Sequence, residues 1–199
     1  MAEGYSIKQM ADDQAEAMKQ LGIEKAAVLG VSQGGMISQY LAINHPKEVD
    51  RLILAVTAPY ANDVVKHAVG PWIEMAKRQD HVSLMIDTAE KMYTRAYLDK
   101  SRRILSLIAK FTKPKSYERF FRNAYAIMDF DAREELNKIN CPTLIIAGDD
   151  DNTVGNDAPH ELNELIPNSK LHIYEGLGHG AFEESEDFYD RIYEFCEDQ

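Results

Sequence analysis

The chain has 199 residues, with 22 Lys+Arg against 33 Asp+Glu and a formal net charge of −11. That balance argues against nucleic-acid binding, which draws its affinity from clustered cations that displace phosphate counterions. At 45% hydrophobic and 28% charged residues, the composition is that of a globular protein, neither disordered nor fibrous. In chain order, Ser6 and Gln9 have the spacing of a capping box. Ile7, Met10, Ala11, Gln14, Ala17, Met18 and Leu21 then recur at helical intervals up to Gly22. Ala26 to Val31 is a short apolar run of the kind shown by a strand covered on both faces. It leads through Ser32-Gln33-Gly34-Gly35 into a second helical pattern that should end near Asn44, because Pro46 cannot continue it.

Arg51 to Thr57, Pro142 to Gly148 and Lys170 to Tyr174 are three further strand candidates. Strands alternating with helical patterns predict an α/β fold with a mainly parallel sheet and flanking helices. Residues 60–138 carry no strand signal but several helical ones, including Val82 to Tyr97, Ser101 to Phe111 and Tyr117 to Met128. So long a stretch is not a loop of a compact domain. The expected division is a core of residues 1–59 and 139–199 and a helical insertion of residues 60–138. Gly155 to Pro159 reads as a polar loop. Glu183, Glu184, Glu186 and Asp187 read as the first turn of a solvated final helix, where negative charge suits the dipole.

The segment Gly30-Val31-Ser32-Gln33-Gly34 has the form G-x-S-x-G between a strand and a helix. Such a turn is so tight that a side chain at either glycine is expected to collide, and it presents the serine hydroxyl at a helix N-terminus. A serine hydroxyl needs a base to take its proton and a carboxylate to orient that base. The third strand candidate runs into Gly148-Asp149-Asp150-Asp151 and the fourth is followed by Gly176-Leu177-Gly178-His179-Gly180. Both positions are carboxyl ends of parallel strands, where the sites of open α/β sheets lie. The order serine, aspartate, histidine is the one associated with this elbow.

On these motifs the chain resembles the alpha/beta hydrolases, in the branch that carries a helical cap. GVSQGG resembles the family's nucleophile elbow, which assigns the nucleophile to Ser32 and one oxyanion-hole amide to Gln33. CPTLIIAGDDD resembles its acid turn, where the acid stands three residues after the glycine, at Asp151. GLGHGAFEE resembles its histidine loop, which makes His179 the base. The resemblance also implies strands ahead of EGYSIKQMADD that this chain does not contain, so the sheet is expected to be N-terminally shortened. The Ala26 to Val31 strand would then be an open edge that invites pairing with a second copy.

Other readings of these residues are structural. The three aspartates also suit turn chemistry, and Asp149 and Asp150 stay open as alternatives to Asp151. His45, His67, His81, His160 and His172 read as surface or structural residues. Tyr93, Tyr97, Tyr117, Phe120, Phe121 and Tyr125 read as packing, with the lining of an acyl pocket as the functional version. The aspartate run lacks the spaced ligands of a calcium loop. Cys141 and Cys196 have no zinc-like spacing. No metal and no cofactor are expected. With no apolar run of membrane-spanning length and no signal-peptide pattern in MAEGYSIKQM, the expected location is the cytoplasm. The resulting expectation is a serine hydrolase acting on a small-molecule acyl substrate, with no nucleic-acid or membrane partner. The competing one is a truncated, catalytically impaired family member that acts in binding or assembly, as a homodimer through the open sheet edge or with a separate chain that carries the missing strands.

Overall fold

The computed structural model describes residues 4–99, 108 and 111–197. Strands β1 (Ala26–Val31), β2 (Val49–Ala55), β3 (Thr143–Gly148) and β4 (Ser169–Tyr174) form one parallel sheet in that order. Alternate residues of each strand point to opposite faces. Val28, Leu52, Leu54 and Ile145 join a core shared with the helices on one face, while Ile53, Ala55, Leu144 and Ile146 pack with Phe188 and Phe195 on the other. Both faces are covered, which is why these strands read as unbroken apolar runs. The exception is β1: among the described residues it pairs with β2 alone, and Leu29 is 40% exposed.

Helix α1 (Ile7–Gln20) starts with the expected capping box, in which the Ser6 hydroxyl accepts from the Gln9 N–H and the Gln9 side chain from the Ser6 N–H. It buries Ile7, Ala11, Ala15 and Met18 against α2 (Gln33–Asn44), which follows β1. Between β2 and β3 come α3 (Asp63–Lys77), α4 (His81–Met92) and α5 (Glu118–Met128). Most of the helix expected over Ser101 to Phe111 lies outside the described residues. The excursion leaves and rejoins the sheet at one antiparallel bridge, Tyr60–Asp131, flanked by Ala61 N–H to Phe130 O at 2.8 Å and Ala132 N–H to Pro59 O at 2.9 Å. The Tyr40 hydroxyl donates to Asp131 O at 2.8 Å, tying this neck to α2. Leu136 and Ile139 already lie fully buried in the main core.

After β3 come α6 (Ala158–Leu165), β4, α7 (Ala181–Glu184) and α8 (Phe188–Glu197). Two local expectations change. Pro159 lies in the first turn of α6 and Ala158 is buried, so the loop ends earlier than its composition suggests. The acidic residues do not open the final helix: Glu183 and Glu184 belong to α7, Ser185 breaks it with an extended backbone, and α8 begins only at Phe188. The physical reason is tertiary, because both glutamates are engaged by the segment that ends α4, as described below.

Candidate active site

Ser32 alone makes the turn from β1 to α2, with φ 53° and ψ −119°. A non-glycine residue with positive φ is costly and persists only where its surroundings impose it. Here the Ser32 N–H donates to Ala55 O at 2.9 Å and the Thr57 hydroxyl donates to Ser32 O at 2.7 Å. A Cβ on Gly30 would stand 2.5 Å from Gly34 O, so that glycine is required. The expected collision at Gly34 does not occur, since a Cβ there meets nothing within 4 Å. The crowded neighbour is Gly35, whose Cβ would stand 2.6 Å from the Thr57 side chain. Gln33 is the first residue of α2, and its amide, like other amides of a first helical turn, has no acceptor within the helix.

Val56 also has positive φ, 45°, and is fully buried at the end of β2. The strand expected to reach Thr57 therefore stops at Ala55, and the chain bends so that Thr57 reaches the elbow. A β-branched residue in this conformation leaves no mark in the sequence, where AVT reads as more strand.

Gly148, Leu177 and Gly178 bring the acid turn and the histidine loop together. The Asp150 N–H donates to Leu177 O at 3.0 Å, and a Cβ on Gly148 would lie only 2.0 Å from the same carbonyl oxygen. The three aspartates then divide their roles. Asp149 accepts the Gly176 N–H at 2.6 Å, and Asp150 takes the Asn152 amide at 3.3 Å. Asp151, 4% exposed, receives the Thr153 and Val154 N–H groups on Oδ1 at 2.8 and 3.0 Å and directs Oδ2 to His179 Nδ1 at 2.9 Å. His179 is 2% exposed and places Nε2 2.8 Å from Ser32 Oγ. With its proton on Nδ1, the imidazole would donate to the Asp151 carboxylate and accept the serine hydroxyl at Nε2. The structure thus brings Ser32, His179 and Asp151 into one hydrogen-bonded line and leaves Asp149 and Asp150 to turn chemistry.

A fourth segment, without a motif in the sequence, closes on the histidine loop. Met92 O, at the end of α4, accepts the Gly180 N–H at 2.6 Å. The Tyr93 hydroxyl donates to Glu183 at 2.6 Å, and Thr94 donates its N–H at 2.9 Å and its hydroxyl to Glu184. Burial, and then the Glu183 carboxylate, push the Tyr93 hydroxyl pKa far above its usual value, so this phenol stays a donor. Tyr93 stacks on Tyr97, and Tyr117, Phe120, Phe121 and Tyr125 form a connected series in which Phe120 and Phe121 pack on the main core.

The remaining histidines with hydrogen bonds are partnered elsewhere: His45 with Asp12, His67 with Asp63 O and His81 with Thr112. On β4, burial and then Arg191 lower the His172 pKa. Among the described residues, no cluster of three or more His, Cys, Asp or Glu side chains could hold a metal ion, and no helix is long and apolar enough to cross a membrane.

Comparison with known proteins bears on the family and the fold. The chain is 32% identical over 195 residues to the AB hydrolase superfamily protein YisY of Bacillus subtilis, a match covering 93% of this chain and 71% of that protein. It is 26% identical to 3-oxoadipate enol-lactonase 2 of Acinetobacter baylyi over 86% of this chain and 63% of the relative. The solved esterase EaEST of Exiguobacterium antarcticum superposes with a TM-score of 0.81 at 29% identity, over 100% of this chain and 76% of that one. A family model for the alpha/beta hydrolase fold matches residues 1–186. With a parallel sheet, a strained serine at the β1–α2 turn and that match, the chain belongs to the alpha/beta hydrolase family.

Proposed function

We propose that this alpha/beta hydrolase is a serine hydrolase of small carboxylic esters or related acyl compounds. The observation that carries the reading is the line Asp151 Oδ2, His179, Ser32 Oγ, with contacts of 2.9 and 2.8 Å. Ser32 Oγ attacks the carbonyl carbon while its proton passes to His179 Nε2. Asp151 holds the imidazole in the productive tautomer and stabilises the imidazolium. The Gln33 N–H, reinforced by the positive end of α2, donates to the oxyanion. Collapse of the tetrahedral intermediate expels the alkoxide, which takes the proton from His179 and leaves an acyl-Ser32. Water, deprotonated by His179, then cleaves that ester and regenerates the serine. No cofactor is required. The relatives named as a lactonase and an esterase support an ester carbonyl as the reacting group.

One observation favours a second reading. Among the described residues β1 pairs on one side only and exposes Leu29, an edge on which a second copy would extend the sheet in a chain that assembles without hydrolysing. A fluorophosphonate probe followed by intact-mass analysis separates the two. One covalent adduct on the folded chain, absent from Ser32→Ala, is expected of the hydrolase. A folded but unlabelled dimer would overturn that reading in favour of assembly.

A further inference from the structure

The histidine loop is not held by the sheet alone. Gly180 follows His179 directly, and its N–H is taken by Met92 O at 2.6 Å. No side chain fits at Gly180, because a Cβ would stand 2.6 Å from the Tyr93 ring and 3.0 Å from Met92 O. Five residues after His179, the Glu184 carboxylate receives both the N–H and the hydroxyl of Thr94, and the intervening Glu183 receives the Tyr93 hydroxyl. The acid turn touches the same segment, with the Thr153 hydroxyl donating to Lys91 O at 3.4 Å. Residues 91–94 therefore meet the loops of both Asp151 and His179, although they belong to the excursion between β2 and β3. The excursion is also tied down at its neck, Tyr60–Asp131, and by the Asn62 side-chain amide, which donates to Val154 O at 2.8 Å, but residues 91–94 are the part that meets the His179 loop. Both glutamates sit on α7, a helix of only 4 residues, too short to hold itself in place.

We propose that Glu184 is a positioning residue: by clamping Thr94 it seats the 92–94 segment against Gly180 and so fixes the His179 imidazole between Asp151 and Ser32. The inference rests on the proposed role of His179 as base. Catalysis is sensitive to such placement, since a displacement of about 1 Å can cost on the order of 10²-fold in rate. A residue acting in this way controls turnover more than ground-state binding.

The test compares Glu184→Ala and Glu184→Gln with the unsubstituted chain, using a short activated ester and following the hydrogen-bonded His179 Nδ1 proton by NMR. A glutamine can still accept the Thr94 N–H and donate to its hydroxyl oxygen, so it restores two contacts. Glu184→Ala is expected to lower kcat about 10- to 100-fold with KM unchanged within about twofold, and to broaden the Nδ1 proton signal. Glu184→Gln is expected to recover most of both. Unchanged kcat with a sharp Nδ1 signal in Glu184→Ala, or a change confined to KM, would overturn the proposal. If the unsubstituted chain neither labels nor turns over ester, the hydrolase reading fails. The proton signal then decides this one, its survival in Glu184→Ala overturning it. Should Glu184→Ala not fold, Thr94→Val keeps the N–H contact to Glu184 and removes the hydroxyl, which also accepts the Tyr97 N–H at 3.3 Å, and must show the same kcat-weighted, smaller loss; kinetics equal to the unsubstituted chain would overturn the clamp.

Discussion

At the level of single residues, the strain at Ser32 and Val56 is confined to two adjoining turns, each hydrogen-bonded to a neighbouring strand. Ser32 N–H reaches Ala55 O, and Val56 N–H reaches Ile146 O at 2.8 Å, so each twisted residue is anchored to the neighbouring strand. The glycines around the elbow are unequal for a steric reason. Gly34 faces open space, whereas Gly35 lies against Thr57, the residue that donates to Ser32 O. Gly35→Ala should therefore cost roughly 1–3 kcal/mol through overpacking. Gly34→Ala should be neutral or stabilising by about 0.5–1 kcal/mol, because alanine is the better helix former. Thermal melts of the two variants check this, and equal destabilisation would contradict the steric account. The motif G-x-S-x-G was legible from spacing, but not which of the following glycines is crowded, because the crowding atom comes from Thr57, on another strand's extension.

Among the elements, α1 is where the sequence placed it, whereas the helix expected over Val82 to Tyr97 is broken after Met92 by the extended backbone of Tyr93. α1 carries its own start signal in Ser6 and Gln9 and its own amphipathic face. Ser6→Ala removes the hydroxyl acceptor of that box and should lower stability by about 1 kcal/mol, read as a shift in urea midpoint with an unchanged slope. α3 was harder to see. It runs through Gly70-Pro71, residues that ordinarily end a helix, and it persists because Val65, Ala68, Val69, Ile73 and Ala76 are buried along one face. α7 and α8 show the opposite failure. Four acidic residues look like one helical start, yet Glu183 and Glu184 are drawn to Tyr93 and Thr94 some 90 positions away and Asp187 accepts the Tyr174 hydroxyl at 2.8 Å. Local propensity loses where a long-range partner is available.

Across the whole molecule, four parallel strands deliver their carboxyl ends to one rim, so loops that are 147 and 28 residues apart in the chain meet at His179. The tightest junction lies beneath them, where Gly148 leaves no room for a Cβ against Leu177 O. Gly148→Ala must push the histidine loop away from the acid turn. It should cost roughly 1–3 kcal/mol, at the upper end because the obstructing atom is backbone, and should abolish phosphonylation of Ser32. Retained labelling in a folded Gly148→Ala chain would show that the two loops need no such contact.

The sequence by itself determined the strand order, helices α1 and α2, the elbow at Ser32 and the loops carrying the aspartates and His179, because periodicity, glycine placement and chain order are local properties. Only the tertiary structure decided that Asp151, and not Asp149 or Asp150, faces His179, that Thr57 and Val56 brace the elbow, and that residues 92–94 close on the histidine loop. Those decisions depend on direction and contact between segments far apart in the chain, which arise only when the sheet brings them within hydrogen-bonding distance.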